Sequence, residues 1–142
     1  MSVVFCGICP HPPVAVPEVG RRESEEVQKT REALLELGRR LKKSSAETVV
    51  IISPHAPIFH GLIGLNGEPV LSGDLASFGA CEVKFQVDND PALVREIKNQ
   101  AAALGLSAME LTGELAGQYD FSLRLDHGVT VPLYFLQQAG VN

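Results

Sequence analysis

Thr48-Val49-Val50-Ile51-Ile52-Ser53-Pro54-His55-Ala56-Pro57 is the stretch on which the fold reading turns. Residues 48–52 are all β-branched, the composition of a central parallel strand covered on both faces. Pro54 and Pro57 end the run, because proline lacks an N–H and restricts the residue before it. A strand that passes at once into a proline-stiffened loop carrying a histidine fits an open α/β sheet. In such sheets the ligand crevice lies beyond the carboxyl ends of the strands.

Working towards the N-terminus, Arg22 to Lys43 has the strongest helical pattern. Val27, Leu34, Leu37 and Leu41 fall near one stripe. Glu23, Glu25 and Glu26 stand at the start and Arg39, Arg40, Lys42 and Lys43 at the end, an order that complements the helix dipole. Pro10, Pro12, Pro13 and Pro17 exclude regular structure before that helix, and Ser2 to Ile8 reads as a first buried strand. Working towards the C-terminus, Leu62 to Leu71 reads as a hairpin around Asn66-Gly67. Cys81, Val83, Phe85 and Val87 alternate with Glu82, Lys84 and Gln86, as in a strand with one wet face. Asp90-Pro91 opens a helix through Leu93, Val94, Ile97, Ala101 and Leu104, which Gly105 closes. Leu106 to Leu125 reads as a short strand plus a loop. Val129 to Gln138 reads as a helix capped by Asp126 and stopped at Gly140. The expectation is α/β: a mostly parallel (mixed) sheet flanked by helices, in a single domain over residues 1–142.

The totals narrow the function. A chain of 142 residues with 45% hydrophobic and 20% charged side chains can bury a core and is not of disordered composition. The net charge is −5, and no basic cluster falls on the expected loops, which argues against a nucleic-acid surface. No apolar run approaches the roughly 18 residues of a membrane helix. The apolar N-terminus has no basic region and no small-residue cleavage site, so it reads as a strand and not a signal peptide. Three cysteines make no disulfide framework, and the expected compartment is a reducing cytoplasm.

Chemistry is most densely suggested at the histidines, of which there are four: His11, His55, His60 and His127. Three share a setting. His11 follows the first expected strand in Cys9-Pro10-His11-Pro12-Pro13, His55 follows the next, and His127 sits at a helix start in Leu125-Asp126-His127-Gly128. Stiff loops hold a ligand geometry at little ordering cost. Imidazoles suit zinc or iron, and a carboxylate with open positions would favour Fe(II) oxygen chemistry. On spacing alone, a solvated or locally hydrogen-bonded loop residue is the commoner outcome for any one of them.

Taken together, these motifs resemble the catalytic subunit of class III extradiol ring-cleavage dioxygenases, and most nearly its branch in AmmeMemoRadiSam systems, where such a domain is often joined to a second one. The resemblance is carried by His11-Pro12-Pro13 with Val16-Pro17-Glu18-Val19-Gly20, by Ile52 to Pro57, by Gly73-Asp74 with Phe78-Gly79, and by Leu125 to Gly128 with Val131-Pro132-Leu133-Tyr134. It spans residues 9 to about 136. It implies an extradiol dioxygenase-like fold, His11 and His55 as two ligands of Fe(II) (alternatively Zn(II)), and His127 as the proton carrier. The implied substrates are a small aromatic diol and O₂. Histidine suits the proton steps because its ordinary pKa, near 6.5, makes both forms accessible at neutral pH. Asp126 is the helix cap or an orienting neighbour of His127.

One departure stands out. The family completes its iron site with a glutamate C-terminal to the His127 motif, and none of the residues after His127 is Asp or Glu. Glu18, Asp74 and Glu114 are the conceivable substitutes. The alternative is that the chain is the N-terminal part of a longer domain or protein. It would then be poor in metal and inactive alone, and would self-associate as a homo-oligomer or depend on a linked downstream domain.

Other readings are weaker. Cys6-Gly7-Ile8-Cys9 invites a redox or zinc role, but prolines follow where a helix N-terminus would be needed. Ser53 with His127 suggests a hydrolase, yet no G-x-S-x-G elbow is present. His60 reads as a surface residue. Phe59, Phe78 and Phe121 could wall an aromatic pocket or simply belong to the core. A metal-binding or partner-binding module without catalysis keeps His11 and His55 and does not need His127.

Overall fold

The leucine stripe of the long helix needs an apolar partner, and the chain supplies one from its far end. A computed structural model describes residues 2–20 and 25–141. Its contacts divide the chain into two units. One comprises the chain up to Ser53, Asp74–Lys84 and the chain from Asp126; the other comprises Pro54–Gly73 and Phe85–Leu125.

In the first unit α1 spans Glu25–Lys43. The expected helix start at Arg22 and Glu23 lies outside the described residues. Arg31, Leu34, Gly38 and Leu41 form the buried stripe. It packs on the last helix of the chain, His127–Gln138 (α4), whose Gly128, Val131, Pro132, Phe135 and Leu136 are buried. Gly38 allows the close approach: a Cβ there would lie 2.6 Å from the Ala139 Cβ and 3.2 Å from the Phe135 carbonyl. A short 3₁₀ turn, Pro13–Ala15, packs against both helices. Ala15 and Val16 are fully buried there, and Arg31 Nε donates to the Ala15 carbonyl at 2.6 Å. The proline run therefore ends in an anchored turn.

In the second unit β1 (Ile63–Asn66) and β4 (Ala108–Leu111) form a small parallel sheet. Its register runs from Ile63 opposite Ala108 to Asn66 opposite Leu111, and helix α2 (Pro91–Ala103) packs on both strands. Asp90 caps α2 by accepting from Leu93 N–H, with Pro91 in the first turn, and Gly105 follows at φ 72°. β2 (Val70–Leu75) and β3 (Ala80–Asp88) pair as a second two-stranded sheet, and each contributes residues to both units. In β3 Val83 and Phe85 are buried between exposed Glu82, Lys84 and Gln86, as the alternation indicates. The chain is thus α/β with a small parallel sheet flanked by helices, in line with the expected class.

Four expectations require correction. Ser2–Ile8 and Thr48–Ile52 are not strands: among the described residues neither joins a ladder, and Val3, Ile8 and Ile52 are 87%, 99% and 91% exposed. β-branched composition favours an extended chain, but a strand also needs a neighbour to exchange backbone hydrogen bonds. The Asn66-Gly67 hairpin does not form either. β1 pairs with distant β4, and Gly67 N–H continues that ladder to the Leu111 carbonyl at 2.8 Å. The Asn66 amide donates to the Leu123 carbonyl, so its side chain holds a long loop instead of a tight turn. Finally, Leu106–Leu125 contains β4 as expected but also a helix, α3 (Gly113–Tyr119), capped by Thr112. Two glycines in seven residues hid it, because glycine is a poor helix former.

Gly38→Ala gains helix propensity but must separate α1 from α4. We expect net destabilisation of about 1–2 kcal/mol, read as a lower midpoint in urea unfolding.

Candidate functional site

α4 begins where the sequence places it. Asp126 has extended backbone (φ −77°, ψ 177°) and its carboxylate accepts from Gly128 N–H at 2.6 Å, so His127 is the first helical residue. The same carboxylate oxygen accepts from the Ser53 hydroxyl at 2.7 Å. The start of α4 is therefore joined to the end of the 48–53 segment, two residues before His55.

His11 is half-buried and leaves the proline run just ahead of the anchored turn at Pro13–Ala15. Its ring centroid lies 5.7 Å from that of His127, with the rings tilted by 55°. Phe78 meets His127 from another element: their centroids are 5.3 Å apart in an edge-to-face arrangement. His11, His127 and Phe78 thus form an aromatic cluster within the first unit. His55 belongs to the second unit and is exposed. Each of the three histidines offers imidazole nitrogens as donors. Nitrogen donors of this kind suit iron or zinc.

The proposed substitute carboxylates fare less well. Glu18 accepts from the Tyr134 hydroxyl at 3.2 Å. That contact lies seven residues along α4 from His127, about 10 Å by helical rise. Burial pushes the Tyr134 hydroxyl up, and Glu18 beside it adds to the rise. Asp74 accepts from Ala76 N–H at 3.0 Å in a local turn. Glu114 is exposed in the first turn of α3, where it complements the helix dipole.

The remaining candidates separate cleanly. Burial pushes the Cys9 thiol up, which works against a reactive thiolate, and Cys6 and Cys9 are free. His60 is exposed, as expected. The Ser53 hydroxyl donates to the Asp126 carboxylate, and that carboxylate also caps α4. Phe59 and Phe121 pair with each other at 5.7 Å in the second unit, whereas Phe78 meets His127. The Ser53–Asp126 bond is what sequence reasoning missed. The two residues are 73 positions apart, and each already had a local explanation.

Residues 6–142 match the model of the catalytic LigB subunit of aromatic ring-opening dioxygenase. The chain belongs to this family. The model describes the catalytic subunit of an aromatic ring-opening dioxygenase. Protein CA_C1420 of Clostridium acetobutylicum is 30% identical over 138 residues, covering 97% of this chain and 30% of that protein. The chain thus spans under a third of that relative's length. No solved structure is significantly similar. Among the described residues of this LigB-family chain, no helix is long and apolar enough to cross a membrane.

If Asp126 joins two segments, its loss should exceed the loss of a cap alone. Asp126→Ala should cost about 2–3 kcal/mol and Ser53→Ala about 1 kcal/mol. A double-mutant cycle by denaturant unfolding should return a coupling of about 1 kcal/mol. Additive losses would show that the two side chains act independently.

Proposed function

We propose that this chain carries the histidine centre of an extradiol dioxygenase, opening the ring of a catecholic substrate beside its diol with O₂. The observation that carries this reading is the pairing of family membership with the close His11–His127 contact. His11 and His55 are the residues proposed to hold Fe(II). When bound, Fe(II) couples the electrons of a chelated diol to O₂ and needs no further co-reactant. The chain's own residues do the rest. His127 receives a proton from the diol and returns one as the ring opens, a role to which imidazole is suited. Asp126 fixes the backbone that carries His127, and the anchored turn after His11 limits movement of the other ring. Ser53 tethers the loop that carries His55, since two residues of chain reach at most about 7 Å from it.

On this reading the two units act as one dioxygenase-like domain, consistent with a family match that runs through both. Three free thiols fit a reducing cytoplasm. Exposed Val3, Ile8, Val50 and Ile52 fit self-association or coverage by a linked domain.

A second reading has its own support. A donor set without a carboxylate suits a metal-binding or partner-binding module of an AmmeMemoRadiSam-type system, with no ring opening. The two readings divide on turnover. Anaerobic loading should give about one Fe(II) per chain, and His11→Ala or His55→Ala should lower iron affinity by at least ~10-fold. His127→Gln should keep the iron and lose at least ~100-fold in catechol-dependent O₂ uptake. Iron retention with no uptake across a panel of diols would leave the module as the function.

A further inference from the structure

We propose that Phe78 is a substrate-contacting residue, supplying the face against which the aromatic ring of the substrate stacks beside His127. This rests on the ring-opening reading above and adds a residue that reading does not assign.

Residues 76–78 form a 3₁₀ turn between β2 and β3, flanked by Leu75 and Ala80, both fully buried. The Asp74 carboxylate accepts from Ala76 N–H at 3.0 Å, and Gly79 N–H returns to the Ala76 carbonyl at 2.9 Å. Gly79 stands at φ 85°, a conformation that costs glycine little and other residues more. The turn is thus held at both ends and internally. It could have sent its largest side chain inward with Leu75. Instead Phe78 stays 41% exposed.

An exposed phenylalanine alone means little, since apolar atoms make up much of any protein surface. Its neighbour changes the reading. The ring meets His127 edge to face at 5.3 Å, and His127 in turn lies 5.7 Å from His11. A partly open aromatic ring on an anchored turn, beside the proposed proton carrier, is what a planar substrate needs. Aromatic faces pair favourably in offset or edge-on geometry beyond the area they bury. Binding to a ring already fixed in place spares the ordering cost of a mobile side chain.

The test uses the full 142-residue chain and two probes. Zinc-loaded protein, which does not oxidise the diol, is titrated with catechol by calorimetry. Metal-free protein is titrated with p-cresol, which has the ring without the chelating diol, and followed by NMR of the Phe78 and His127 ring protons. Phe78→Ala should weaken catechol about tenfold, the scale of one lost aromatic contact, with zinc stoichiometry unchanged. Phe78→Trp should bind within about threefold of the parent, and its thermal midpoint checks that the turn still folds. In the parent, p-cresol should shift both ring systems, and in Phe78→Ala the His127 shift should disappear. Failure of catechol to bind while p-cresol still depends on Phe78 would defeat the diol reading and keep the platform. Equal binding of both probes to parent and Phe78→Ala, or no p-cresol shift at either ring, would overturn the platform itself.

Discussion

One carboxylate oxygen of Asp126 receives two hydrogen bonds, from Gly128 N–H within its own helix and from the Ser53 hydroxyl 73 residues earlier. The first fixes where α4 begins, and so fixes His127 as its opening residue. The second joins that opening to the segment that leads into the Ser53-Pro54-His55 loop. Both are charge-assisted bonds, which are shorter and stronger than neutral ones. Both also satisfy a half-buried carboxylate, which would otherwise be costly to desolvate. Asp126 thus serves His127 through the backbone that it caps.

What makes that joint stiff is the packing below it. α1 and α4 come close because Gly38 offers no Cβ, and the turn at Pro13–Ala15 is locked against them by Arg31 and two fully buried residues. His11 precedes that turn on one side and His127 leaves α4 from the other. Their separation is therefore set by helix packing, which deforms little because interiors are close-packed. Prolines at 10, 12 and 13 restrict the remaining freedom of the loop around His11.

Much of this is legible in the chain, for identifiable reasons. The caps at Asp90 and Asp126 are local signals, since an acidic residue followed by proline or by a helical run satisfies its own helix. The leucine stripe of α1 is also local, and holds over the described part. Partner choice is not legible. Asn66-Gly67 has the chemistry of a tight turn, but β1 finds β4 across 45 residues, and nothing within residues 62–71 encodes that pairing. The β-branched run at 48–52 announces extended chain and says nothing about whether a neighbouring strand lies alongside it. At the site, the motifs single out the three histidines, while the Ser53–Asp126 bond stays hidden because it links two distant segments. Phe78 is one of six phenylalanines in the sequence, and its place on the His127 ring distinguishes it.

The nature of the donor set bears on the chemistry it would support. Imidazoles are neutral when they bind a metal, so on the proposed reading they leave the charge of a divalent ion uncompensated, whereas a carboxylate would cancel part of it. The acidic side chains considered for that role are engaged elsewhere: Glu18 with Tyr134, Asp74 with its own turn, and Glu114 in the first turn of α3. An uncompensated cation strengthens its attraction for an anionic ligand and lowers the pKa of a hydroxyl bound to it. A diol that loses a proton on binding would restore the balance that the protein leaves open. The same imbalance weakens retention of the ion before the diol arrives. Metal and diol binding should therefore be mutually reinforcing, because each supplies the charge the other lacks, and linkage makes that coupling equal in both directions.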